Sequence, residues 1–434
     1  MRVAILYPVV EGVLTREDHT TLTSVNALIN GLHDHNVSVK AYPVSCRRDS
    51  RRELIFDCNA NLQISTLMER ADTFQIIHNH CGFFPLACSG LISTPIVTTL
   101  YRYPEKDYCS RFMERSFFIG VSGLLRSAQI PMERIIYPGI PFHRHFLNES
   151  SNGYFVSSFS ISGKEGILRA AAVIEKNRKK LIVYGGKEQE QLFDAEIKTM
   201  IDTQLVCFRH ITDDNYRMSI LSGAKAMLAL PEEEPVAALE VVESMSCGTP
   251  VVGTRTGCLP ELIDHNRTGF LINTEEDILR AMDAADSTNR SACWSYAAER
   301  FSARRMVDEY ISFFREVDRV HRKEGSRPWG FYSILADKPD HKIKRIVVLP
   351  GARLSLQRHI RREEHWFIQS GQARITLAEE LVELQANQSI DIPRCGIHRI
   401  ENIGTSDLVF FEIQTGDYFG EDDIERLEDD FARD

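Results

Sequence analysis

The chain has 434 residues, 43% of them hydrophobic and 26% charged; it is too long for one ordinary core, so two or three domains are expected. A net charge of −10 argues against a general nucleic-acid surface, and ten scattered cysteines with no Cys-x-x-Cys pair argue against a disulfide framework or zinc knuckle and fit a reducing cytosol. The opening run MRVAILYPVVEG is too short for a signal peptide and no segment approaches the ~20 apolar residues of a membrane span, which leaves only peripheral membrane contact open.

Residues 2–7, 37–42, 74–78, 95–100, 117–121 and 134–137 read as strands, with a helix over 21–32. Such alternation implies a parallel sheet covered on both faces. A polar linker at 148–153 interrupts it. The pattern then restarts with strands at 154–159, 180–184, 204–208, 226–229 and 250–253. Helices are expected at 163–175 and 237–245, and a closing helix at 303–320. Two successive halves suggest two Rossmann-like domains facing a cleft, over 1–150 and 151–322. The third pattern, over 323–434, is all-β. Its strands at 342–349, 354–359, 364–370, 373–378, 389–392, 399–402 and 408–415 are punctuated by Gly, Pro and Asn, which suits a sandwich or barrel. The acidic tail 420–434 is expected to form a final helix or to wrap the barrel.

Gln357 and His359 are two apart, so on one strand they share a face. Glu364 opens the next strand and His398 lies on a later one. Two imidazoles, a carboxylate and an amide oxygen suit Zn, Mn, Fe or Co better than a thiolate site would. Such an ion would act as a Lewis acid beside a sugar carbonyl or hydroxyl. The competing reading is a barrel with satisfied interior polar groups.

The spacing Gly351-x5-Gln357-x-His359-x4-Glu364-x6-Gly371 resembles the first cupin motif, with Gln in place of the first His. Pro393-x4-His398-x3-Asn402 resembles the second. More narrowly, RPWG, KIKRIVVLPGARLSLQRH, RREEHW, PRCGIHRIEN and YFGEDDIERLEDD resemble the type II phosphomannose isomerase domain, the C-terminal part of bifunctional mannose-1-phosphate guanylyltransferase/isomerases. One departure is Cys395, where that family usually has Gly. The resemblance covers about 327–434. It implies a cupin (double-stranded β-helix) barrel with Gln357, His359, Glu364 and His398 as metal ligands. The implied reaction interconverts fructose 6-phosphate and mannose 6-phosphate through an enediolate. It needs a base for the carbon-bound proton and an acid for the oxygens. Arg399, His365 and Glu363 are the candidates near the ligands. Lys344, Arg345 and Arg362 are candidates for the substrate phosphate; a surface or strand-pairing role is an even alternative for Lys344 and Arg345.

The segments FQIIHNHCGFFPLA, PIVTTL, EVVESMSCGTPVVGTRTGCLPELI and HNRTGFLI resemble the GT-B retaining glycosyltransferases that include sucrose and mannosyl transferases. That implies Glu243 on the donor ribose, and backbone N–H groups of Gly257, Cys258 and Leu259 on a diphosphate. His78, His80 and Tyr101 would line the cleft. A nucleotide sugar is the implied donor, with GDP-mannose suggested by the fusion, and a glycan or glycoconjugate the acceptor. The departures are as informative. The first loop has only Gly12, Tyr101 replaces a usual His, and Pro235 stands where the first of two glutamates is expected. The family's diphosphate-clamping Arg and Lys fall at Ser160 and Glu165, with Lys164 one position away. Three readings stay open for this module: a divergent transferase, a sugar-nucleotide or glycan binder without turnover, or a structural partner for the isomerase. The cupin has a parallel alternative as a sugar-phosphate sensor. The pairs His78/His80 and His143/His145 lack a nearby carboxylate, so neither is read as a metal site. Cupins pair through sheet edges, so a homodimer is the expected assembly.

Overall fold

The computed structural model describes every residue except 11–15, 49–53, 57, 104–111, 113–115, 128–129, 144–145 and 431–434. Gly12 and His145 lie outside the described residues. The chain divides into two compact units, Met1–Phe314 and Arg315–Asp434, and the division falls within the helix Ala303–Lys323. None of the described helices is long and apolar enough to cross a membrane.

The first unit holds two sheets. β1 (Arg2–Val10), β2 (Ser38–Arg48), β3 (Leu54–Phe56), β4 (Ile76–Asn79), β5 (Ile96–Leu100), β6 (Phe117–Gly120) and β7 (Met132–Ile135) lie in the order β3-β2-β1-β4-β5-β6-β7. All pairs are parallel except β2 with β3. Val3 to Leu6 are fully buried, as a strand covered on both faces requires. The second sheet is wholly parallel. β8 (Tyr154–Ser158), β9 (Lys180–Gly185), β10 (Val206–His210), β11 (Met227–Ala229), β12 (Val251–Thr254) and β13 (Gly269–Ile272) run in the order β10-β9-β8-β11-β12-β13. Strand order reverses beside β1 and beside β8, and α/β sheets open ligand crevices at such points.

The second unit is antiparallel. β14 (Glu324–Arg327), β15 (Gly330–Asp337), β16 (His341–Val348), β17 (Leu356–His359), β18 (Arg362–Ser370), β19 (Gln372–Leu377), β20 (Glu380–Gln385), β21 (Ser389–Ile392), β22 (His398–Asn402), β23 (Leu408–Gly416) and β24 (Ile424–Glu428) make two sheets. Their orders are β14-β15-β16-β23-β18-β21 and β20-β19-β22-β17-β24, the double-stranded β-helix of a cupin. Trp329, Ile346, Trp366, Ile368, Ile375, Ile400 and Phe410 fill one end of the interior. The tail is not a final helix: after one 3-10 turn, Glu421–Asp423, it becomes β24 and pairs with β17. The pairing supplies partners for the edge of a strand that carries two inward polar side chains.

Arg290 shows how the linker is anchored. Its guanidinium is 8% exposed and donates to the carbonyls of Asn148, Ala224 (2.8 Å) and Ser222 (2.7 Å), and to Thr249 Oγ1 (2.6 Å). Removing the donor leaves buried carbonyls unpaired, which costs about 1–3 kcal/mol each before relaxation. Arg290→Met is therefore expected to destabilise the first unit by about 2–4 kcal/mol, read as a lower midpoint in urea or thermal melts. An unchanged midpoint would show that water reaches those carbonyls.

Candidate functional site

Strand alternation decides which polar side chains enter the barrel. On β18, Arg362, Glu364 and Trp366 are buried while Glu363 and His365 face outward. On β23, Glu412 (4% exposed) and Gln414 (1%) point in. On β16, Lys344 (8%) and Ile346 point in. Cross-strand register then stacks the interior in layers. Glu364 opposes Gln414; one layer nearer the apolar core, Glu412 opposes both Trp366 and Lys344; beyond it, Ile346 and Ile368 both oppose Phe410. A solvent-open cavity of about 60 Å³ is lined by these polar groups together with Gln357, Arg327 and Arg426.

Glu364 lines the cavity, and behind that wall His359 and His398 converge on Glu364, all three buried, with ligand atoms within 4.8 Å of one another. His359 Nε2 is 3.1 Å from Glu364 Oε1, and His398 Nε2 is 3.7 Å from Glu364 Oε2. The amide nitrogen of Gln357 lies 3.4 Å from His359 Nε2 and 3.5 Å from His398 Nε2, while its oxygen accepts from Ser355 Oγ. Rotating the amide by half a turn would exchange these two atoms.

Burial alone would raise the Glu364 pKa, but the His359 bond, the neighbouring imidazoles and the Arg362 guanidinium hold this carboxyl well below the usual range. Gln414 Nε2 (3.0 Å), Arg362 Nε (3.2 Å) and Trp366 Nε1 (3.1 Å) donate to it. His398 is pushed the other way: burial lowers its pKa, so it is neutral. His398 Nδ1–H donates to the Gly396 carbonyl at 2.9 Å, which leaves a lone pair on Nε2. A neutral imidazole lone pair and an ionised carboxylate face each other as two acceptors. A divalent cation resolves that juxtaposition, and these residues fit one.

Of the other expected site residues, Arg362 and Lys344 join the cavity. Arg345 lies on the opposite face of β16 from Lys344. His365 is exposed and paired with Asp391 at 2.6 Å, and Glu363 accepts from Thr415 Oγ1 at 3.3 Å outside the barrel. Arg399 alternates away from His398 and grips Glu428 of β24 through its Nη1 (3.1 Å) and Nη2 (3.3 Å) atoms. The period of two thus removes Glu363, His365, Arg345 and Arg399 from the ligand cluster. Glu412, Gln414, Arg327 and Arg426 also line the cavity, beyond the residues expected from sequence. A Glu and a Gln two apart in the apolar strand FFEIQTG were the available signal.

In the first unit, Glu243 sits on the helix Leu239–Ser246, 2% exposed, paired with Arg217 Nη2 at 2.9 Å. Burial raises its pKa against the pull of Arg217 and His19. Glu243 Oε2, Glu240 Oε2 and Tyr184 Oη are buried without a hydrogen-bond partner among the described residues. They form a polar set suited to hydroxyl groups. Two of the three expected diphosphate donors are otherwise engaged. Cys258 N–H donates to Pro235 O (2.8 Å) and Leu259 N–H to Thr256 O (3.3 Å), while Gly257 turns at φ +58 against Pro235. Lys164 is exposed on Glu196 (3.0 Å). The helix Phe159–Lys176, which begins with Phe159 and Ser160, breaks at Gly163. There Glu165 N–H donates to Glu232 Oε1 at 2.6 Å, so a carboxylate of the chain holds the place of an anion.

His78 and His80 line no open cleft. They are 0% and 4% exposed, in a relay running from Tyr101 Oη to His80 Nδ1 (3.0 Å), His80 Nε2 to His78 Nδ1 (3.3 Å), and His78 Nε2 to Thr99 Oγ1 (2.8 Å). Burial pushes His80 down to about 3 and His78 well below its ordinary value, so both are neutral. Tyr310 and Phe314 pack on His78. The two halves meet at Glu261, which accepts from Gly123 N (2.8 Å), Leu124 N (3.1 Å) and Ser122 Oγ (3.1 Å).

Comparison with known proteins divides along the same line. Residues 315–429 match the family model for the mannose-6-phosphate isomerase C-terminal domain, and residues 151–300 match that for glycosyl transferases group 1. The Xanthan biosynthesis protein XanB of Xanthomonas campestris pv. campestris is 44% identical over 131 residues, 29% of this chain and 28% of that protein. The Alginate biosynthesis protein AlgA of Pseudomonas aeruginosa is 48% identical over 107 residues, 25% of this chain and 22% of that protein. The chain therefore spans about a quarter of the length of these curated relatives. The crystal structure of Anabaena Alr3699/HepE in complex with UDP aligns with a TM-score of 0.56 and 15% identity, over 73% of this chain and 100% of that one, which shows the GT-B fold.

Metal analysis after dialysis against Co²⁺ is expected to find one ion per chain. His359→Ala and His398→Ala should each lose it, while the outward His365→Ala and Glu363→Ala keep it. Full binding by the His398 variant would remove the assigned site.

Proposed function

We propose that the second unit is a metal-dependent aldose–ketose isomerase interconverting mannose 6-phosphate and fructose 6-phosphate. The observation that carries this is the facing of the His398 lone pair and the ionised Glu364 carboxylate beside His359, in a domain matching the isomerase family model. A divalent ion of the Zn, Co, Mn or Fe class, held by His359, Glu364, His398 and Gln357, supplies Lewis-acid polarisation of the sugar oxygens. Arg362 holds Glu364 ionised. Arg327 and Arg426 line the same cavity and bind the substrate phosphate. A coupled assay of the full chain tests the reading. Chelation should abolish turnover and Co²⁺ should restore it; no turnover with any of the four metals in folded protein would sink it.

The first unit we read as a GT-B module that binds a nucleotide sugar, GDP-mannose by virtue of the fusion, with Glu243 on the ribose hydroxyls. Transfer of mannose to a glycan or glycoconjugate acceptor would place both units in polysaccharide assembly. Glu232 at the Glu165 amide favours a second reading, in which the module binds its nucleotide weakly and turns nothing over. The two separate by calorimetry with GDP. Glu232→Gln removes a charge that repels the diphosphate, so affinity should rise about tenfold, on the order of 1.4 kcal/mol, and Glu243→Ala should lower it. Equal affinity for GDP in the Glu232 variant and the parent would mean that the diphosphate lies elsewhere.

A further inference from the structure

The cavity contains a second buried carboxylate for which metal binding has no use. Glu412 is not among the converging ligands, yet it is 4% exposed and lies one layer deeper than Glu364 on the neighbouring strand. One amide joins the two: Gln414 Nε2 donates to Glu364 Oε1 at 3.0 Å and to Glu412 Oε1 at 2.8 Å. Buried Lys344 places its Nζ 3.5 Å from Glu412 Oε1 and 3.6 Å from Oε1 of the exposed Glu421. The ends of this chain differ in character. Glu364 is crowded by cationic and N–H groups, whereas Glu412 meets one ammonium and one amide.

We propose that Glu412 and Lys344 are the acid–base pair of the isomerisation, with Glu412 moving the proton between C2 and C1 and Lys344 serving O1 and O2. The inference rests on the isomerase reading above. From the open-chain aldose, the Glu412 carboxylate takes the C2 proton. The C–H electron pair becomes the C1=C2 bond, the carbonyl π pair moves onto O1, and O1 takes a proton from Lys344. In the second half the O2 proton goes to Lys344 and the O2–H pair forms C2=O. The C1=C2 π pair then takes the proton from Glu412 at C1. No oxidant or reductant is consumed. The step needs an ionised Glu412 beside a protonated Lys344, which is the ion pair observed. Burial and the charge of Glu364 push Glu412 up to about 7 despite Lys344, a value suited to proton exchange at neutral pH.

The test uses the Co²⁺-loaded full chain and its Glu412→Gln variant in D2O. The parent should isomerise and place deuterium on the sugar carbon. The variant should bind one Co²⁺ and mannose 6-phosphate within about threefold of the parent, while isomerisation and deuterium incorporation both fall at least ~100-fold. Turnover in the variant within tenfold of the parent overturns the proposal. So does loss of its Co²⁺, which would make Glu412 a structural group. A parent that binds metal and turns nothing over overturns both the proposal and the isomerase reading. If Glu412→Gln loses the parent's cooperative melt, Glu412→Asp decides. It keeps the charge and shortens the reach, so kcat should fall about tenfold or more with KM unchanged; an unchanged kcat overturns the assignment.

Discussion

An ionised carboxylate inside a barrel must be surrounded by groups that compensate its lost hydration. Glu364, 3% exposed, has them from four strands: Arg362 and Trp366 from its own β18, His359 from β17, His398 from β22 and Gln414 from β23. The polar end of the barrel is organised around this one charge. It orients both imidazoles, fixes the Gln414 amide, and through that amide sets the electrostatic setting of Glu412. The apolar end, from Ile346 and Phe410 onward, provides the rigid wall against which those side chains are held.

The first unit handles negative charge differently. Its crevice contains a carboxylate where ribose hydroxyls would bind, at Glu243, and another where a diphosphate would bind, at Glu232. Glu243 is compensated by Arg217, a cation drawn from the helix Asp214–Gly223 rather than from the segment where a diphosphate clamp is expected. The fold is GT-B, and it carries a carboxylate paired with a guanidinium at Glu243 and one accepting from a backbone amide at Glu232 rather than a phosphate clamp. Fold and site chemistry are separable in this way because loops carry the latter.

Period and punctuation made most of the architecture legible in the sequence. The parallel strands from Arg2–Val10 to Val251–Thr254 announce themselves as short apolar runs, and His359, Glu364 and His398 by their spacing. Where geometry departs from local spacing, one cause accounts for it. Glu363, His365 and Arg399 adjoin the ligands in sequence and Arg345 adjoins Lys344, and in a strand the nearest neighbour faces the other way. Glu412 and Gln414 were missed because the neighbour that matters comes from β23, some fifty positions along the chain. Register between non-consecutive strands is a tertiary property. Local pattern also failed for β24: its acidic composition resembles a helix or a loose tail, yet it is paired with β17 through the backbone.

Glu261 links the halves of the first unit through amide and hydroxyl bonds to Ser122, Gly123 and Leu124, and it is only partly buried. Water replaces such partners almost fully when they separate, so the net contribution of each bond is about 1 kcal/mol. A contact of this kind behaves as a latch rather than a weld. Val236 and Ala237 also pack into the core of the first sheet, so parting the halves would expose apolar surface as well as release these bonds.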